Sequence, residues 1–206
     1  MNEETRSSNI FNGDNFAISA LCDKRSYPVV RVNSEFTEVT NGDYLFHMPT
    51  PKIVGDDLPL GSSKELRDEK ERDFVISELA AKDIEKNIPK GSMPILKNVW
   101  LVESLNENTA SFLMINLDVE KKISVRIEDT RFPNTESVWP KGVPEIEIGF
   151  NPEYMIKLCQ QFIKSDDRKV KAIRMKIYGK LQPIELQSTK QDGQLPKALL
   201  MPCKID

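Results

Sequence analysis

The chain is poor in the residues that most enzyme chemistry requires. Its single histidine, His47, leaves no second imidazole for a metal site. A histidine-dependent nucleophilic triad would have to use it with a Ser or Cys that no spacing singles out, so His47 reads as structural. Three cysteines, Cys22, Cys159 and Cys203, are odd in number and far apart, which excludes a disulfide framework and suits a reducing compartment. They read as buried small apolar side chains. No Cys-x-x-Cys pair, Walker loop or Gly-x-Gly-x-x-Gly occurs, so no cofactor or metal is expected. Asp56 with Asp57, and Glu145 with Glu147, are the candidate carboxylate pairs for a magnesium-dependent nuclease. The first pair sits in a linker and the second at alternating strand positions, whereas Mg²⁺ needs convergent ligands. An excess of base is also missing: 29 Lys and Arg face 32 Asp and Glu, a net charge of −3, so any contact with nucleic acid must be local. No apolar run approaches the ~18 residues of a membrane span, and Met1–Ser8 has no apolar signal core. A cytoplasmic, non-membrane protein is expected.

What is present is the composition of a globular chain, 39% apolar and 30% charged, enough to bury a core. Phe16–Ala20 and Tyr27–Val32 alternate, and Asn12-Gly13 precedes them as a turn signal, which predicts a hairpin. From Pro49 to Asp73 the apolar pattern fades into prolines, glycines and the charge run Lys64–Arg72, read as a solvated linker or an exposed helix turn. A repeat follows. Phe74–Ser77 and Ala80–Lys86 read as strand then helix, and Ile146–Gly149 and Pro152–Lys164 read the same way. Each is followed by three strand candidates: Val99–Glu103, Ser111–Ile115 and Ile123–Ile127, then Ala172–Ile177, Ile184–Gln187 and Ala198–Met201. The fold class is α+β, with repeated strand-helix-strand-strand-strand units and helices on one face of antiparallel sheets. The expected division is a partial unit and linker at 1–73, then a domain at 74–206 made of repeats 74–140 and 144–206.

The second helix has the sharper start: Asn151 is a good cap, Pro152 is favoured at the first position and Glu153 complements the helix dipole. Met155, Leu158, Cys159 and Phe162 form its core stripe, while Lys157, Gln161, Lys164 and Arg168 fall on another face. That face is either simply solvated or positions DNA through phosphates without reading sequence. The first helix carries a weaker version in Lys82, Lys86 and Lys90.

Four segments together resemble the bacterial DNA polymerase III beta subunit, the sliding clamp. Ala20-Leu-Cys-Asp-Lys-Arg-Ser26 is similar to the family's Ala-Thr-Asp-Gly-His-Arg-Leu loop. Thr130-Arg-Phe-Pro-Asn-Thr-Glu-Ser-Val-Trp-Pro140 resembles Gly-x-Phe-Pro-Asp-Tyr-x-x-Val-Leu-Pro, and Leu200-Met-Pro-Cys-Lys-Ile205 resembles the C-terminal Val-Met-Pro-Met-Arg-Leu. Ile148-Gly-Phe-Asn-Pro-Glu-Tyr154 stands where the family has a nearly identical entry from strand to helix. The resemblance implies a DNA-clamp fold and a groove for short linear peptides of polymerases and repair proteins, here built from Leu21, Lys24, Arg25, Pro133, Val138, Leu199, Met201, Pro202 and Cys203. An apolar floor with an adaptable Met suits Leu or Phe anchors; the alternative is that Leu199–Cys203 is an ordinary core strand. A clamp subunit has three domains of two strand-helix units each, and two subunits close the ring. With two clear units and a helix-poor N-terminal piece, this chain resembles a shortened clamp, and several copies would be needed to enclose DNA. Cys22, Asp23 and Lys24 replace the Asp, Gly and His of the first motif, and Asn134 and Thr135 replace Asp and Tyr of the second. The resemblance implies a noncatalytic, homo-oligomeric tether that holds partner peptides and contacts duplex DNA. The alternative is a clamp-fold interaction or decoy module that binds no DNA, and the third reading is the metal-dependent nuclease.

Overall fold

The computed structural model describes residues 9–23, 27–51, 70–90, 94–102, 106–116, 119–166, 171–189 and 196–203. The chain forms two compact units, Met1–Trp139 and Pro140–Asp206.

Within the first unit one pattern of elements occurs twice. The first copy is β1 (Ile10–Phe11), α1 (Gly13–Ala17), β2 (Val29–Asn33), β3 (Phe36–Thr40) and β4 (Leu45–Pro49); the second is β5 (Asp73–Ser77), α2 (Glu78–Asn87), β6 (Val99–Val102), β7 (Thr109–Asn116) and β8 (Val119–Arg126). The two copies exchange their opening strands. β1 pairs antiparallel with β6 and β5 with β2, giving sheets in the order β1-β6-β7-β8 and β4-β3-β2-β5. α1 and α2 pack on one another, and sixteen buried side chains drawn from both copies, among them Phe11, Phe16, Val30, Ile76, Ile84 and Phe112, form one core. Neither copy closes that core alone.

Local chemistry explains where the helices start. Asn12 Oδ1 accepts from the Asn15 amide (3.2 Å) and Asn15 Oδ1 accepts from the Asn12 amide (2.9 Å), a reciprocal capping box. Asn15 is fully buried, and its Nδ2 donates to Thr37 Oγ1 and to the carbonyls of Met48 and Pro49. The segment expected as the first strand of a hairpin is therefore helical: Phe16 lies in α1 and Ile18–Leu21 continue as a 3-10 turn. Asn12-Gly13 caps a helix instead of turning a hairpin, and the hairpin present joins β2 to β3. The N-terminal part is thus a complete repeat. Asp73 does not divide domains either, because β5 continues the sheet begun by β2–β4; the division falls between Trp139 and Pro140. The charge run up to Glu69, Asp56 and Asp57 lie outside the described residues.

The second unit holds one copy of the pattern: α3 (Pro152–Ser165), then β9 (Ile173–Lys176), β10 (Ile184–Ser188) and β11 (Lys197–Leu200) in the antiparallel order β11-β10-β9. Asn151 Oδ1 accepts from the Glu153 amide (2.9 Å), the cap anticipated above. Ile146–Gly149, expected as a strand, joins no sheet among the described residues; the bridge from Gly149 to Cys203 and the packing of Ile148 on the Phe162 cluster hold it. Phe162, Ile184, Leu186 and Leu200 are buried together. The cysteines depart from expectation, because Cys22 and Cys159 are half-buried and Cys203 is exposed. Among the described residues no helix is long and apolar enough to cross a membrane.

Candidate functional site

A polar network on the outer face of β2–β4 holds the segment 130–139 in place. Glu38, 1% exposed, is a carboxylate that must find partners to be buried at all. It has three: Arg31 Nη1 donates to Oε2 (3.2 Å), Thr135 Oγ1 donates to the same oxygen (2.8 Å), and His47 Nδ1 lies 3.0 Å from Oε1. Arg31 also grips Asp73 through Nε (2.9 Å) and Nη2 (2.6 Å). The hydrogen bond to Asp73 is the main cause holding the guanidinium above its ordinary pKa, with burial opposing it. The Arg31 guanidinium lies over the rings of Phe36 and Phe132, at 5.3 and 5.9 Å. His47 stacks on Phe36 (4.6 Å) and meets the edge of Trp139 (5.9 Å). The network itself went unread. Its signal was a lone charge of each sign, Arg31 and Glu38, at the centre of adjacent apolar strands, where the register sets them opposite one another.

Beside this network, segment 130–139 meets Tyr27, which follows the first clamp-like segment. Asp23 and Tyr27 form an antiparallel bridge, and the Tyr27 hydroxyl donates to the Arg131 carbonyl (2.6 Å) while its ring meets Phe132 edge-on. Leu21 is partly exposed at the end of the 3-10 turn, its carbonyl accepting from the Tyr44 hydroxyl. Pro133 is exposed and Val138 is 68% exposed. An open groove of about 590 Å³, bounded by Arg31, Asp73, Phe74, Phe132 and Asn134, includes Pro133 but neither Leu21 nor Val138. Lys24 and Arg25 lie outside the described residues.

The remaining predicted pocket residues belong to the second unit. The register of β11 puts Ala198 and Leu200 opposite Leu186 and Ile184 on the helix-facing side, so Leu199 points away. Leu199 is 66% and Met201 63% exposed, and Cys203 is also exposed. Leu199 on β11 and Met201 just beyond it thus put two large apolar side chains in water beside the buried Leu200.

The helix faces differ in charge. Lys157, Gln161 and Lys164 are exposed along one side of α3, with Lys157 over the Tyr154 ring at 5.6 Å; Arg168 lies outside the described residues. On α2, Lys82 is engaged by the buried Glu78 one turn back, and Asp83 and Glu85 sit beside Lys86 in sequence; Lys90, expected on this helix, lies beyond its end at Asn87.

No protein-family model and no curated protein matches the sequence. Solved structures do. The chain aligns with the beta subunit of DNA polymerase from Streptococcus pyogenes at TM-score 0.62 and 10% identity, over 97% of this chain and 51% of that one. The beta sliding clamp of C. crescentus aligns at TM-score 0.59 and 12% identity, over 98% and 52%. The DNA polymerase sliding clamp of Pseudomonas aeruginosa aligns at TM-score 0.59 and 13% identity, over 98% and 53%. This chain has the sliding-clamp fold. It spans about half the length of the solved clamps it matches.

Proposed function

We propose that this clamp-fold chain is a noncatalytic tether that binds short linear peptides of replication or repair partners. The observation that carries the reading is the exposure of Leu199 on β11 and of Met201 just past its end, on either side of the buried Leu200. Such side chains are available to receive an apolar peptide anchor, and Met adapts its shape to Leu or Phe. Pro202 and Cys203 extend the same surface. On the first unit Leu21, Pro133 and Val138 offer a second apolar set, held by the Glu38 network and flanked in sequence by Lys24 and Arg25. Binding is tested by fluorescence anisotropy with a labelled clamp-binding peptide, comparing wild type with Met201→Ala and, separately, Val138→Ala. Weakening by Met201→Ala of about tenfold supports the reading; no binding by wild type rejects it.

Duplex DNA is the second proposed ligand, through Lys157, Gln161 and Lys164 of α3. Contacts of this kind go to phosphates, so affinity should fall steeply with salt and ignore sequence. The counter-reading, an interaction module that leaves DNA alone, is favoured by α2, where acids offset the lysines. Measuring DNA affinity at two salt concentrations separates them, with Lys157→Ala/Lys164→Ala as the control.

A further inference from the structure

The two repeats of the first unit complete one another, and the third repeat has the same parts with no partner in its own unit. Aligning the helix caps sets Asn151 against Ser77, hence Gly149 against Val75 and Phe150 against Ile76. The tie that holds the opening strand is the same in both. The Glu128 amide donates to the Val75 carbonyl at 2.8 Å, and the Cys203 amide donates to the Gly149 carbonyl at 2.8 Å. In the first unit that strand then adds to the other repeat's sheet, beside β2 or β6. Segment 145–150 has no such neighbour among the described residues, and β9, the counterpart of β2 and β6, is a bare edge. An edge of this kind offers unpaired backbone groups to another strand.

The two surfaces are chemically matched. Ile173 and Met175 sit opposite Ser188 and Leu186 on the helix-facing side of β9, while Arg174 and Lys176 face the other way. In the opening segment Ile146, Ile148 and Phe150 alternate with Glu145 and Glu147. Antiparallel apposition therefore sets Ile against Ile and Met on one face, and Glu against Arg and Lys on the other. Lys176 already bonds Glu185 on β10 (3.0 Å), so Arg174 is the cation this apposition uses most directly. Met175 is 46% exposed although it shares a face with the buried Leu186. On α3, Ile156 and Ile163 are 56% and 51% exposed along one flank with half-buried Cys159 between them. That flank is distinct from the Lys157–Lys164 face. In the first unit the paired helices run antiparallel, with Gly13 at the start of α1 beside Ile88 past the end of α2.

We propose that the second unit is half of a clamp domain and that a second copy of this chain supplies the other half. The two copies meet about a two-fold axis: segment 145–150 of each adds to β9 of the other, and the two α3 helices pack antiparallel through Ile156 and Ile163. This is the exchange of opening strands already made inside the first unit, carried out between chains. It gives the four buried apolar side chains of the second unit the shared core that a repeat lacks alone. The proposal stands apart from peptide or DNA binding.

Sedimentation velocity on the full chain from about 1 to 100 μM tests it, using wild type, Glu145→Lys/Glu147→Lys, Arg174→Glu and the three changes combined. All three positions are exposed, so each variant keeps its monomer fold, which circular dichroism verifies. A dimer is expected in wild type. Either charge reversal alone should weaken it about tenfold or more, and the combination should restore most of the affinity. A Cys22→Ser/Cys203→Ser variant should form a covalent dimer through Cys159 with a short bis-maleimide, because Cys159 lies near the middle of α3, where the axis passes. A monomer throughout the range, a dimer indifferent to both charge reversals, or the absence of a Cys159 cross-link overturns the proposal.

Discussion

Replacing Arg31 by Met keeps most of the side-chain volume and removes the cation that faces Glu38. Glu38 stays buried, with Thr135 and His47 as its remaining partners. Breaking a buried pair from one side costs about 3–5 kcal/mol, because the stranded charge keeps its desolvation penalty. The Asp73 contact adds little, since that carboxylate is half exposed and screened. Loss of the guanidinium from the Phe36 and Phe132 rings adds about 0.5–1 kcal/mol. The expected cost is therefore about 3.5–6 kcal/mol. Removing both charges, with Arg31→Met and Glu38→Leu together, should cost less than Arg31→Met alone, for no buried charge is then left without a partner and Asp73 is solvated. Denaturant unfolding followed by tryptophan fluorescence is the appropriate assay, since both tryptophans, Trp100 and Trp139, lie in the first unit. The double-mutant cycle should give a coupling of about 2 kcal/mol or more. A coupling near zero, or an Arg31→Met variant as stable as wild type, would refute the claim that Glu38 depends on Arg31.

Asn15→Ala should destabilise the first unit by about 2–3 kcal/mol in the same assay, because it deletes the Asn12 amide's half of the capping box and removes a buried donor from Thr37 and from the Met48 and Pro49 carbonyls. Burial, then the nearby Glu78 charge, push the Cys22 thiol up to about 11, so at pH 8 iodoacetamide should modify exposed Cys203 well before Cys22. Because that folded value lies above the ~8.5 of an unfolded thiol, the stability Cys22 contributes is complete below about pH 8.5 and declines towards pH 11; Cys22→Ser should flatten that alkaline limb. Hydrogen bonds from Tyr178 and then Lys176 hold the Glu185 carboxyl below its ordinary value. Its contribution is therefore present above about pH 4.3 and lost as pH falls through the folded value. In an NMR titration Tyr178→Phe should raise the Glu185 midpoint, and an unchanged midpoint would remove Tyr178 as the cause.

The strands and helices from residue 73 onwards were largely legible, because their apolar alternation and their caps are local. Asn151-Pro152-Glu153 announces a helix whatever surrounds it, and Ile184–Gln187 alternates as one-sided burial requires. Asn12-Gly13 was not legible in the same way, since the pair serves hairpins and helix starts alike. What decides between them is Asn15, which finds Thr37, Met48 and Pro49 only once β3 and β4 lie above it. The surface of β11 shows the same limit. Leu199 and Leu200 are alike in sequence, and only pairing with β10 assigns one to the core and the other to solvent.

By itself the sequence determined the repeat unit, its α+β class, the capped start of α3 and the clamp-like segments, all of which are properties of neighbouring residues. Tertiary structure alone decided that the opening strands change sheets, that 9–51 is a full repeat sharing a core with 70–139, and that Arg31, Glu38, His47, Asp73 and Thr135 converge. The reason is physical: caps and periodicity act within one helical turn or one pleat, whereas strand pairing and the partnering of a buried charge depend on residues up to a hundred positions away.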